Sequence, residues 1–215
     1  MKKRMLSLLC VLALCLGLLP VTALAAGEIE LYVAGQRITE SGCYENQGGT
    51  WTKVDGTELA SGQFYYDADT VTLTLNRAEI SHNENVSVGS GTQYPGSVIA
   101  FSQSADVSLT IVVVSQGTST ITGTGGIRVV SKAGDASLSI SGPGSLEVNV
   151  DRNDSGISLI GSKNVNLNID GADVKTLAAY YYAVDLHAGD GFKAAAVVNN
   201  GKLTAGGSGG IGIYY

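Results

Sequence analysis

Cysteine is nearly missing from this chain. Of the three present, Cys10 and Cys15 fall in the first 25 residues, and Cys43 stands alone after them. One thiol cannot staple a fold internally, so stability has to come from packing. Charge is also scarce, at 15% of residues against 44% hydrophobic, which is too apolar for a disordered tail. With 29 glycines the chain is equally unsuited to a helical bundle, so a single β-rich domain is expected. Of the charged residues the basic ones are the fewer. Once Lys2, Lys3 and Arg4 are set aside, 10 face 19 acidic ones, a net of −9 that argues against a nucleic-acid or anionic-membrane footprint.

No apolar run is long enough to read as a membrane span. The longest, from Met5 to Leu19, follows Lys2-Lys3-Arg4 and is closed by Ala23-Leu24-Ala25. This order of charge, short apolar stretch and small residues is that of a secretory signal peptide, residues 1–25, removed on export. A secreted or extracellular location follows, with no membrane insertion after cleavage. Leu9 before Cys10 and Leu14 before Cys15 do not suit lipidation.

What the chain does have is a repeat. Val71-Thr-Leu73-Thr-Leu75 recurs at Val107-Ser-Leu109-Thr-Ile111, Ala136-Ser-Leu138-Ser-Ile140, Val165-Asn-Leu167-Asn-Ile169 and Ala194-Ala-Ala196-Val-Val198, the last four copies 29 residues apart. A second segment keeps step with it: Ile99-Ala-Phe101, Ile127-Arg-Val129, Ile157-Ser-Leu159, Val184-Asp-Leu186 and Ile211-Gly-Ile213. A looser signal lies between them, clearest at Leu146-Glu-Val148-Asn-Val150 and weaker at Ile121, Val174 and Leu203.

The period of two excludes amphipathic helices. A β-sandwich has no reason to hold one strand pattern at a near-constant interval, whereas a solenoid lays each coil on the one below. The expected fold is all-β, a right-handed parallel β-helix of about five coils over residues 69–215. Residues 26–68 lie outside the repeat, with Trp51 and Phe64-Tyr65-Tyr66 supplying aromatic bulk. They are expected to cap the open edge of the first coil. Nothing caplike follows Ile213-Tyr214-Tyr215, so either these tyrosines close the far edge or the chain is the front part of a longer surface protein.

Alternation also assigns faces. Thr72, Ser108, Ser137 and Asn166, with Thr74, Thr110, Ser139 and Asn168, are expected outside the first strand register. In the second register the outward set is Ala100, Arg128, Ser158, Asp185 and Gly212. A further ladder, Asp106, Asp135, Asn164 and Lys193, recurs every 29 residues at a turn. Asp and Asn suit turns because they bond local backbone. Calcium bridging of the stacked carboxylates is the alternative, although no Gly-Gly-x-Gly-x-Asp run is present. No cofactor is expected otherwise.

Three stretches carry a resemblance: Leu31-Tyr-Val-Ala-Gly-Gln-Arg-Ile-Thr39, Phe64-Tyr-Tyr-Asp-Ala-Asp-Thr-Val-Thr-Leu-Thr-Leu-Asn76, and Gly142-Pro-Gly-Ser-Leu146 after an Ile-Ser step. With these the chain resembles the secreted β-solenoid surface proteins of Gram-positive bacteria known as carbohydrate-binding-domain or adhesin-like proteins. The resemblance implies architecture, location and a sugar-binding role, and assigns no binding residue.

A non-catalytic module for an extracellular polysaccharide or a host or cell-surface glycan is thus the leading expectation. Polysaccharide lyases and hydrolases share the β-helix, but fold is a weak warrant for activity. The Asn-Thr-Asp, Asp-Asp, Gly-His-Gly and Arg-x-Lys stretches of the hydrolases are lacking. For a lyase the one set is Arg128 or Arg152 with Asp151, Asp154 and Asp185. A flat hydroxyl face for ice would need more than the single Thr72/Thr74 pair. For a glycan site, sugars stack on aromatic rings while amides and carboxylates take the hydroxyls. Tyr180-Tyr181-Tyr182 with Asp185 and His187 is the densest such cluster. Alternation points Tyr180 and Tyr182 inward and Tyr181, Asp185 and His187 outward, with Arg128 two coils below on the same face. The Trp51 and Tyr65 region is the second choice.

Overall fold

A computed structural model describes residues 29–56, 58–114, 117–152 and 154–214. The expected leader, residues 1–25, and Tyr215 lie outside the described residues. Every regular element described is a strand. Three parallel sheets wrap one core, and we number them 1 to 3 in chain order. Sheet 1 stacks Thr72–Asn76, Val107–Val113, Ala136–Ser141, Val165–Asp170 and Ala194–Asn199. Sheet 2 stacks Glu79–His82, Thr118–Gly123, Ser145–Val150, Asp173–Ala178 and Lys202–Gly207. Sheet 3 stacks Val98–Ser102, Ile127–Ser131, Ile157–Gly161, Val184–His187 and Ile211–Tyr214. The fold is a β-solenoid of about four turns, built from five such strand sets.

Alternate residues of each strand point in and stack on their equivalents. Leu109, Leu138, Leu167 and Ala196 form one column and Leu73, Ile111, Ile140, Ile169 and Val198 another. Leu73, Leu109, Leu138 and Ile140 have no exposed surface. Each such side chain contributes about 1.5–3 kcal/mol by leaving water. The first copy of the sheet 1 motif is slipped by two residues from its sequence alignment, with Leu73 beneath Ile111 instead of Leu109. An even slip keeps the faces.

Antiparallel strands cover two first-coil edges. Glu30–Val33 turns at Ala34-Gly35, pairs with Gln36–Ile38 and runs against Val98–Ser102 of sheet 3. Gly42–Gln47, Thr50–Val54 and Gln63–Asp67 form a meander on Thr72–Asn76 of sheet 1. Phe64 stacks on Tyr44 at 5.0 Å and touches Trp51 at 4.8 Å, which closes the base of the core. Trp51 is 2% exposed, so its ring is unavailable as a binding platform. Cys43 is buried as a free thiol.

The first coil holds an element that periodicity did not reveal. Asn85–Val88 and Thr92–Pro95 form a hairpin over the outside of sheet 3. It buries Val86 and Val88 against Ile99, Phe101 and Val130 in a second small core. Sheet 3 is therefore apolar on both faces there, and the register expected for its first strand is off by one. Ile99, not Ala100, stands in the outward column with Arg128, Ser158, Asp185 and Gly212. Ala100 belongs to the main core.

The Asp106 ladder is a staircase of hydrogen bonds. The backbone N–H of Asp135 donates to Asp106 Oδ1 at 2.9 Å, that of Asn164 to Asp135 Oδ1 at 2.9 Å, and that of Lys193 to Asn164 Oδ1 at 3.2 Å. Each side chain holds the coil above it, not its own turn. Asp135 Oδ1 also accepts from Asn164 Nδ2 at 3.1 Å.

Candidate functional site

Sheets 2 and 3 meet at a corner whose connections differ in length from coil to coil. Residues 124–126 suffice between Gly123 and Ile127, whereas residues 179–183 bulge outward before Val184. This variation builds the surface relief, because the sheets themselves are uniform.

Arg128 leaves sheet 3 outward, and three contacts fix it. Its Nε donates to Pro95 O at 3.1 Å, its guanidinium lies 5.4 Å from the Tyr94 ring centre, and Nη2 donates to both oxygens of Asp154, to Oδ2 at 2.7 Å. Both side chains of the pair are 11% exposed. The positive charge expected on an open strip is thus neutralised and enclosed.

Two strands higher in the same column, Asp185 is 9% exposed and sits over the buried Ser158. Its Oδ1 has no hydrogen-bond partner among the described residues, and His187 Nε2 stands off at 3.6 Å. Burial pushes the Asp185 carboxyl above the usual carboxylate range, while His187 and Arg128 draw it down and Asp154 raises it further.

Tyr180, Tyr181 and Tyr182 precede the strand Val184–His187, so strand alternation does not apply to them. Tyr180 is 67% exposed instead of pointing inward, and Tyr181 is 46% exposed. Ring contacts run from Tyr181 to Tyr182 at 5.1 Å, from Tyr182 to Tyr214 at 5.8 Å, and from Tyr214 to a stacked His187 at 4.3 Å. A hydrogen bond with Tyr182, with burial second, pushes the Tyr214 phenol up to about 12. These rings line a hollow of about 450 Å³. Of the four residues expected in a site, the structure brings Tyr181 and His187 to this hollow, seats Asp185 in buried surroundings beside His187, and ties Arg128 to Asp154.

The hollow opens beside two others. Tyr180 follows Ala179, which lines a second hollow of about 580 Å³ on the outer face of sheet 2. Asn83 lines both that hollow and a third of about 440 Å³, bounded also by Thr124, Arg152 and Asp154. The three hollows are neighbours at this corner, linked through Asn83 and through the Ala179–Tyr180 step. Sequence reading misses the sheet 2 hollow because its walls are mostly Ser, Thr, Asn, Gly and Ala, with Val150, Asp151 and Leu177 among them. The available signal was the looser alternation of Thr122, Asn149 and Leu177 at outward positions. Another hollow, of about 590 Å³, lies at the cap against Arg77 and Glu79.

Among the described residues no cluster of three or more His, Cys, Asp or Glu side chains is placed to hold a metal ion. In the staircase, Asp106 Oδ1 and Asp135 Oδ1 are already engaged by the coil above. Comparison with protein-family models, with curated proteins and with solved structures finds no match to this chain.

Proposed function

We propose that this protein is a secreted or cell-surface, non-catalytic binding module for an extracellular polysaccharide or cell-surface glycan, of the adhesin-like kind its sequence resembles. The observation that carries the reading is the corner relief, where the exposed rings of Tyr180 and Tyr181 adjoin a hollow walled by uncommitted polar side chains. Aromatic faces receive the C–H faces of a sugar ring, and amides, hydroxyls and a carboxylate serve its hydroxyls. The lyase alternative needs a base free to take a proton. Arg128 is held in a bidentate contact with Asp154, which leaves Arg152 as the remaining basic member of that set.

A glycan array with the mature protein, run with and without calcium, tests the reading. Binding without turnover supports it, and Tyr181→Ala should weaken that binding about ten-fold or more, as loss of an interface anchor does. Release of unsaturated ends from a polysaccharide, stopped by Arg152→Ala, would favour the lyase. Binding only with calcium would bring a cation into the site.

A further inference from the structure

We infer that the hollow on the outer face of sheet 2 is an axial subsite for an uncharged, linear, β-1,4-linked hexopyranose chain, with one sugar over each coil. This rests on the glycan reading above and names its ligand class and direction.

The wall repeats with the solenoid. Ser81, Thr122, Asn149, Leu177 and Gly206 are partners across successive strands, so they form one outward column along the axis. Neighbouring strands are about 4.8 Å apart. An extended β-1,4-linked pyranose chain advances by a similar distance per sugar with successive rings turned over, so a chain laid along the column sets one ring against each coil and presents the same ring face to every second coil. A ligand lying across the strands would meet only one or two.

The chemistry of the wall selects the ligand. The side chains of Ser81, Asn83, Thr122, Asn149 and Asp151 have no hydrogen-bond partner among the described residues, so donors and acceptors stand ready for hydroxyls. Leu177, 37% exposed and fourth of the five positions in the column, offers an apolar patch for a sugar's C–H face. No Lys, Arg or His lines the hollow, and Asp151 is its one ionisable group. A polyuronate or other polyanion would therefore find repulsion and no counter-charge. A peptide strand is also a poor occupant. The backbone of the inner strands is paired on both sides, so a peptide strand could add only beside the end strands Glu79–His82 and Lys202–Gly207, not along the column between them.

Gly206 keeps the upper end open. A Cβ there would meet only the flexible tip of Leu177, at 2.7 Å, whereas one on Gly207 would strike the Ala178 carbonyl oxygen at 2.0 Å. A side chain at position 206 therefore fills the hollow without disturbing backbone.

The test is calorimetric titration of the mature protein with β-1,4-linked glucose, mannose and N-acetylglucosamine oligomers of increasing length, and with polygalacturonate. Affinity for at least one uncharged series should climb with each added sugar to about five, one per coil, and then level off. Gly206→Phe should lower it about ten-fold or more, while Thr204→Phe, outward on the same strand but off the column, should leave it unchanged. Asn149→Ala is the second probe, should the phenylalanine variant fail to fold, and should weaken binding severalfold. Binding that saturates at a disaccharide, survives both column variants and is lost in Tyr181→Ala would overturn the axial subsite and keep the glycan reading. Preference for polygalacturonate would overturn the uncharged class. Absence of binding to every glycan, on these oligomers and on the array, would overturn both.

Discussion

Arg128 and Asp154 form an enclosed pair, guanidinium nitrogen to carboxylate oxygen at 2.7 Å, that joins a sheet 3 strand to the loop before the next one. The relationship turns an apparent binding arginine into a structural one. A ring face at Tyr94 and the Pro95 carbonyl complete its surroundings. Removing one member leaves the other charged and poorly solvated, which costs about 3–5 kcal/mol for a buried pair. Arg128→Ala should therefore lower denaturant stability by about that much. The double variant Arg128→Met with Asp154→Leu should recover most of the loss, and a double variant as unstable as the single would refute this account.

Leu138 and Ser139 are neighbours on one strand with opposite surroundings, the first fully buried and the second half-exposed. Leu138→Asp places a carboxylate in the aliphatic column, at a cost comparable with the stability of a whole domain. It should prevent folding. Ser139→Asp should shift the melting temperature only slightly, and equal effects in thermal unfolding would show the register to be wrong.

Asp135 accepts two hydrogen bonds from Asn164, one from its backbone and one from its side chain. Asp135→Ala should cost about 0.5–1.5 kcal/mol per bond, and Asp135→Asn, which keeps an acceptor oxygen, clearly less. Chemical denaturation of the two variants checks this. If calcium bridging held the ladder instead, chelator would destabilise the wild type, and no such effect is expected.

Asp185 gives a pH signature. Its folded-state pKa is raised from an ordinary 3.8, so the native state binds the proton more tightly than the unfolded chain. The contribution is fully present below the ordinary value and is lost as pH rises through the raised one. Asp185→Asn should then melt higher than wild type at pH 7, with the gap closing in acid. A variant less stable at every pH would mean that the carboxylate is held by favourable contacts after all.

Most of the solenoid is legible in the sequence because inward Leu, Ile and Val at a period of two, repeated every 29 residues, leave little freedom in stacking. Legibility fails where something covers the sheet from outside. Ile99 and Phe101 are apolar because the hairpin lies on them, and two-sided burial erases the alternation that would have set their register. An interval of 36 residues between Val71 and Val107, against 29 later, is the trace such an insertion leaves. The site was harder still. Alternation extended from Val184 back into Tyr180–Tyr182 runs beyond the strand in which it holds, and the Asp154 partner of Arg128 comes from a loop 26 residues away. The sheet 2 hollow lacks any marked residue. Its shape arises from small side chains aligned by stacking, which becomes visible only when the coils are laid on one another.

The hydrogen-bond staircase makes the solenoid directional. In every step the oxygen belongs to the lower coil and the N–H to the upper, so each level is docked onto a surface the previous level has already shaped. A force lifting the last coil would break one step at a time, like a zipper opened from its loose end, and leave each remaining level intact. With nearest-neighbour coupling a force entering at the cap meets the same single steps in reverse order, so the ladder gives way level by level from either end.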